Sequence, residues 1–271
     1  MSQVMNIAHR GARSLAPENT ILAAQKAYEV GADMWELDTG MLKDGTLIVL
    51  HDNTFRRTTN IDEIFPDRAG NHLTTFTQQE VSKLDAGCFY QKSDPFNLIQ
   101  NGILSPETLT TFIGLTVPTL EEALLFTKEK NWQVNVEIKD MKKTFADQKI
   151  VQEILHLIQK LNAEDHVLIS SFNHQYLAEI HIEKPHIPTA ALVAIPKFWD
   201  MQLCEKLGVT AYHPPKYLLT SSLIQKFTKK QLAVNIWTVN EPEQMESWIQ
   251  AGATGIITDF PQTLKDILNP S

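Results

Sequence analysis

The stretch Met34-Trp35-Glu36-Leu37-Asp38-Thr39-Gly40-Met41-Leu42-Lys43-Asp44-Gly45-Thr46-Leu47-Ile48-Val49-Leu50-His51 decides the fold. It holds two short apolar runs, Met34 to Asp38 and Leu47 to Leu50, with only Thr39 to Thr46 between them. A crossover helix needs roughly ten residues or more, so the two runs cannot be parallel neighbours and form a hairpin instead. Asp44-Gly45 supplies a two-residue type I′ turn signal. If Lys43 pairs with Thr46, counting back along both strands sets Asp38 opposite His51, and opposed residues share a face.

Outward from the hairpin, further strand-like runs occur at Val4 to Ala8, Val134 to Ile138, Val167 to Ser171, Thr189 to Val193, Thr210 to Tyr212, Ala233 to Trp237 and Gly255 to Thr258. Helix-length segments separate most of them: Thr20 to Val30, Thr119 to Lys130, Gln148 to Leu161, Thr220 to Lys230 and Pro242 to Ala251. Nine runs, with the hairpin counted as an extension of the second strand, leave eight for a closed parallel sheet. The expectation is an α/β chain folded as a TIM (β/α)8 barrel spanning residues 1–271 as one domain. Residues 53–117 break the alternation with turn-rich stretches around one short helical candidate, Thr77 to Leu84. They are too many for a structureless loop and are expected to form an inserted subdomain over the barrel mouth.

With 43% hydrophobic and 21% charged residues the chain can bury a large core. A net charge of -8 and the lack of any long Lys/Arg run argue against nucleic acid as a partner. The start, Met1-Ser2-Gln3-Val4-Met5-Asn6, has no signal-peptide character, and no apolar run has the length of a span. A cytoplasmic protein without stable membrane insertion is the expectation. Cys88 and Cys204 lack metal-like spacing and read as ordinary thiols.

Barrel enzymes carry their reacting groups at the C-terminal ends of strands. Four runs end in suitable polar groups: His9-Arg10-Gly11, Glu36-Leu37-Asp38, His51-Asp52 and Glu137-Ile138-Lys139. Alternation along a strand places Glu36 with Asp38 and Glu137 with Lys139. A single strand carboxylate reads equally as a salt-bridge partner. Three of them, with two histidines nearby, suit Mg²⁺ or Ca²⁺ rather than zinc. His9 and His51 can divide the proton work, and Arg10 and Lys139 can neutralise a phosphate. Trp237 fits an apolar wall at the mouth or a place in the core. His213 ends a strand and is a further rim candidate, while the six other histidines read as structural.

These residues resemble the glycerophosphodiester phosphodiesterase family. The likeness rests on His9-Arg10-Gly11, Pro17-Glu18-Asn19-Thr20, Glu36-x-Asp38, Lys43-Asp44-Gly45, Leu50-His51-Asp52, Arg57-Thr58-Thr59, Leu84-Asp85-Ala86-Gly87, Val117-Pro118-Thr119-Leu120-Glu121-Glu122, Val136-Glu137-Ile138-Lys139, Trp237-Thr238-Val239-Asn240 and Ile257-Thr258-Asp259-Phe260-Pro261. Leu37 and Thr39 stand where the family often has valine, and Cys88-Phe89-Tyr90 is a variant.

The resemblance implies a barrel with an insert, a divalent metal on Glu36, Asp38 and Glu137, acid/base histidines at His9 and His51, and Arg10 and Lys139 around the phosphate. It implies hydrolysis of small-molecule glycerophosphodiesters, such as glycerophosphocholine or glycerophosphoethanolamine, to glycerol 3-phosphate and an alcohol. A lysophospholipase D-like or sphingomyelinase D-like enzyme on the same barrel is the nearest rival. An inactive phosphate-binding module and a metal-dependent sugar isomerase barrel are others.

Overall fold

The computed structural model describes residues 4–270; the expectations that touch Met1 to Gln3 and Ser271 lie outside them. Nine strands form one sheet: β1 (Met5–Ala8), β2 (Met34–Met41), β3 (Leu47–Val49), β4 (Val134–Ile138), β5 (Val167–Ser171), β6 (Thr189–Leu192), β7 (Ala211–His213), β8 (Ala233–Ile236) and β9 (Gly255–Thr258). The order is β1-β9-β8-β7-β6-β5-β4-β2-β3, and an additional β1–β2 pairing closes eight parallel strands into a barrel. β3 lies outside the closure, antiparallel to β2. The expected TIM barrel and the hairpin on its second strand are both present.

The register of that hairpin differs from the expected one by a residue. Thr39 pairs with Val49, Gly40 with Ile48 and Met41 with Leu47, and the Leu50 N–H donates to the Asp38 carbonyl at 3.0 Å. Leu50, not His51, therefore stands opposite Asp38. The loop has three residues: Leu42 N–H donates to the Thr46 carbonyl at 2.9 Å, and Gly45 N–H returns to the Leu42 carbonyl at 3.0 Å. Gly45 sits at φ 87, the left-handed conformation this loop type requires. Residues 76–78 hold it there: Lys43 N–H donates to the Phe76 carbonyl at 2.8 Å, and the Asp44 carboxylate accepts from Gln78 N–H at 2.8 Å. Lys43 is thereby unavailable to Thr46.

The helices cover the outside. Thr119 caps Leu120–Glu129 through a reciprocal box with Glu122, a device worth about 1 kcal/mol. Ile150–Leu161 buries Ile150, Val151, Ile154, Leu155 and Ile158, one stripe at helical spacing. Helices at His174–Glu183, Asp200–Leu207 and Pro261–Leu268 were not anticipated. The helical candidate at Thr77 to Leu84 is a single turn, Gln78–Val81.

Alternate strand residues fill two separate cores. Ile7, Met34, Leu168, Ala190, Ala211 and Ile257 pack together inside the barrel, while Trp35, Leu37, Val134, Val136 and Ile169 face the helices. Residues 53–117 carry several short helical turns. Phe55, Ile61, Leu73, Phe76, Val81 and Leu84 from this segment join the same outer core as β2 and β4. Tyr90, Leu98, Leu104 and Phe112 pack against Ala16 and Ala23.

Candidate active site

The turn after β1 brings the first residues into place. Arg10 and Gly11 both have positive φ, 55 and 79, and a Cβ at Gly11 would lie 2.6 Å from the Ala23 backbone carbon. Glycine is required by that approach. Asn19, at φ 57, anchors the other side of the loop by donating from its N–H to the Arg10 carbonyl at 3.0 Å. Arg10 thus occupies a conformation that ordinary side chains avoid, a kind of strain that clusters at functional sites.

The turn delivers His9 and Arg10 to a cleft of about 260 Å³, whose lining includes Glu36, His51, Glu137, Lys139, Phe172, Leu192 and Trp237. Of the nine residues singled out in the sequence, seven line this cleft; Asp38 is buried beneath the lining at 1% exposure, and His213 lies inside the barrel. No residue of 53–117 lines the cleft. That segment meets the residues behind the cleft through Arg57, which pairs with Glu18 and Asp52.

Glu36, Asp38 and Glu137 each offer an oxygen within 4.8 Å of the others, and all three are buried. Their surroundings differ. Burial and repulsion from Asp38 and Glu137 push the Glu36 pKa well up, and burial and Asp38 raise that of Glu137. Burial opposes ionisation of Asp38 too, but Lys139, Arg10 and His51 together hold it low. Lys139 Nζ donates to Glu137 at 2.7 Å and to Asp38 at 3.2 Å. The Arg10 N–H donates to Glu36 at 2.8 Å. Arg10 Nε stands 3.3 Å from Asp38, an ion-pair distance without hydrogen-bond alignment. Asn19 braces Asp38 twice, giving from its amide at 2.9 Å and receiving the Asp38 N–H at 3.2 Å.

Both histidines are held from behind by carboxylates. His9 Nδ1 lies 2.7 Å from Asp259 and His51 Nδ1 2.6 Å from Asp52. An ionised carboxylate only accepts, so Nδ1 carries the proton on each ring and Nε2 is left for chemistry. Asp259 is itself fixed by Asn240 at 2.7 Å and lies 3.5 Å from Arg13. Asp52 accepts from Arg57 at 2.7 Å. Burial and Arg10 lower the His9 pKa, and Asp259 opposes them.

Glu18 ties this scaffold together. It meets Arg10 at 2.7 Å, Arg13 at 2.9 Å and Arg57 at 2.8 Å. Burial alone would raise its pKa, yet the three arginines bring it down to about 2. The sequence reading assigned no role to Glu18, Asn19, Arg57 or Asp259. They appeared only as members of matching motifs, because their work is to hold other side chains, and no local pattern reports that.

Opposite the charges, Phe172 and Trp237 meet edge to face with centroids 5.7 Å apart, and Trp237 Nε1 donates to the His213 carbonyl at 2.9 Å. Trp237 both lines the cleft and packs on the inner core. His213 is not on the rim. It is fully buried, accepts from Asn235 at 3.0 Å, and burial drives its pKa to about 3. It remains neutral inside the barrel.

The residues fit a hard divalent cation: three buried carboxylates converge, and the burial and mutual repulsion that push Glu36 and Glu137 toward protonation are what a cation among them would relieve.

Residues 9–263 match the glycerophosphoryl diester phosphodiesterase family. A glycerophosphodiester phosphodiesterase of Caldanaerobacter subterraneus is 34% identical over 97% of this chain and 96% of its own. One from Bacillus altitudinis is 31% identical over 94% of each chain. Among solved structures, an Oleispira antarctica phosphodiesterase in complex with the product sn-glycerol-3-phosphate is similar with TM-score 0.79 and 22% identity, covering 98% of this chain and 96% of that one.

Proposed function

The chain belongs to the glycerophosphoryl diester phosphodiesterase family and is an enzyme of that class, and on that premise we propose that it hydrolyses small glycerophosphodiesters, such as glycerophosphocholine and glycerophosphoethanolamine, to glycerol 3-phosphate and the free alcohol. The observation that carries this reading is the convergence of two carboxylate-backed histidines on one cleft with Arg10, Lys139 and three buried carboxylates.

A bond forms from the attacking oxygen to phosphorus as the bond to the leaving alkoxide breaks. Nε2 of one histidine takes the proton of the attacking oxygen, and Nε2 of the other returns a proton to the alkoxide. Arg10 and Lys139 stabilise the charge on the phosphate oxygens during transfer. Glu36, Asp38 and Glu137 would hold Mg²⁺ or Ca²⁺, which supplies further positive charge beside the phosphate. Phe172 and Trp237 form the wall against which the alcohol portion rests. The attacking oxygen is water or the neighbouring hydroxyl of the substrate glycerol. A substrate without that hydroxyl separates them, since undiminished turnover rules out obligatory cyclisation.

Residues 53–117 influence the site through Arg57, which grips both Asp52 and Glu18. Because that segment contributes to the barrel's outer core, Arg57→Ala tests its role better than deletion does; an unchanged preference among head groups counts against it.

The deciding experiment is turnover of a head-group panel that includes lysophosphatidylcholine, with chelator and with each ion restored. Release of glycerol 3-phosphate dependent on a divalent ion is expected. Binding without release would favour a phosphate-binding module, and faster release from the lysolipid would favour the lipid-directed reading.

A further inference from the structure

The loops that follow β4, β5, β6 and β7 share one end of the barrel, since their strands are parallel. Thirteen large apolar side chains are exposed among the described residues, and seven of them lie on these four loops. The most prominent are Phe198 at 78%, Leu218 at 77% and Tyr217 at 69%. Side chains of this size standing in water on adjacent loop tips are not explained by the catalytic cleft.

The charge around them is distinctive. The loops after β6 and β7, Val193 to Trp199 and Pro214 to Thr220, hold lysines and no acidic residue, in a chain whose net charge is -8. Lys197 Nζ stands 5.3 Å from the Trp199 ring centre and Lys216 Nζ 5.6 Å from that of Tyr217. The loop after β4 repeats the pairing, with Lys149 5.9 Å from the Phe145 ring; of its two acidic residues, Asp140 is matched by Lys142 at 3.6 Å and Asp147 accepts from the Tyr176 hydroxyl. Two acidic residues adjoin the patch: Asp200, which is buried and accepts from the Lys197 N–H at 2.8 Å and the Tyr212 hydroxyl at 2.6 Å, and Glu243, which shares a groove with Lys216 and Tyr217. Ammonium groups lying over apolar rings suit a boundary that is apolar below and anionic above.

We propose that this end of the barrel docks on an anionic lipid surface, with Phe198, Trp199, Tyr217 and Leu218 entering the head-group boundary and Lys197 and Lys216 meeting the lipid phosphates. A second copy of the chain is the less favourable occupant, because a two-fold contact through this patch sets lysines against lysines. Phe172 and Leu192 line both the catalytic cleft and the neighbouring cavity, about 450 Å³, that runs under Ile195, Lys197 and Trp199. Docking therefore turns the cleft toward the lipid. The inference rests on the loops alone and does not depend on which diester is cleaved.

The test is flotation of the full chain with vesicles of phosphatidylcholine containing one third phosphatidylglycerol, and with pure phosphatidylcholine vesicles, at low and high salt. Wild type is expected to float with the anionic vesicles, preferring them about tenfold, and to be released by salt. Phe198→Ser with Leu218→Ser, and separately Lys197→Glu with Lys216→Glu, are expected to abolish flotation while thermal melting and turnover of a soluble diester stay at wild-type values. The proposal is overturned by absence of wild-type flotation, by equal binding to both vesicles, or by both variants binding as wild type does. It is also overturned by sedimentation showing a dimer that Phe198→Ser with Leu218→Ser dissolves.

Discussion

Glu18 and Glu36 are both buried and sit on opposite sides of Arg10: Glu18 takes the guanidinium and Glu36 the backbone N–H. Glu18 is met by three arginines and stays ionised far into acid. Glu36 faces Asp38 and Glu137, and its carboxyl is pushed toward the protonated form. Two residues of the same type thus serve opposite ends. The charge of Glu18 is spent inside the protein, holding Arg10, Arg13 and Arg57 in place. Glu36 has two carboxylates for neighbours and no side-chain cation bonded to it, and repulsion of that kind marks where an outside cation belongs.

The contrast breaks most severely when the unbalanced side is altered. Glu137→Gln is expected to lower kcat/KM about a thousandfold, and chelation of wild type to do the same; steady-state kinetics with and without divalent ion reads both. His9→Ala is expected to cost a similar factor, about a thousandfold in kcat. Asp259→Asn acts through His9 and should cost about a hundredfold, mainly in kcat. Because Asp259 raises the His9 pKa, its loss should also move the His9 limb of the pH–kcat profile to lower pH.

On the balanced side the effect is on stability. The Glu18 pKa falls from 4.5 to about 2 on folding. Its contribution is therefore complete above the unfolded value and is lost as pH drops through the folded one. Glu18→Gln is expected to cost about 3 kcal/mol at neutral pH, with a cost that shrinks as acid titrates wild type, measured by urea unfolding across pH. Glu36→Gln should do the reverse in chelator. Its carboxyl is raised on folding, so the charged form is a burden that grows as pH rises above the unfolded value. The variant should be more stable than wild type at neutral pH, lose that gain in acid, and fail to be stabilised by millimolar Mg²⁺ or Ca²⁺. Equal responses from the two variants would remove the distinction between them.

What the sequence disclosed follows the same division. The eight barrel strands were legible because parallel strands buried on both faces are near-continuous apolar runs, and the ninth, antiparallel one followed from a gap too short for a helix. Its register was not legible. Asp44-Gly45 serves two- and three-residue loops alike, and the choice was made by Phe76 and Gln78, some thirty residues away in the chain. The residues converging on the cleft stood out as polar groups at the ends of apolar strands. Glu18, Asn19 and Asp259 were opaque as holders: Glu18 gathers Arg57 from beyond β3 onto Arg10 and Arg13, Asn19 reaches Asp38 on the neighbouring strand, and Asp259 meets His9 only when β9 seats beside β1. His213 shows the opposite failure: a histidine at a strand end that the strand's alternation turns into the interior.

The bond between His9 and Asp259 spans a sequence separation of 250 residues. A chain emerging from the ribosome carries His9 from the outset, but its imidazole is aimed only when β9 seats beside β1. Every shorter nascent form holds the reactive ring without its backing.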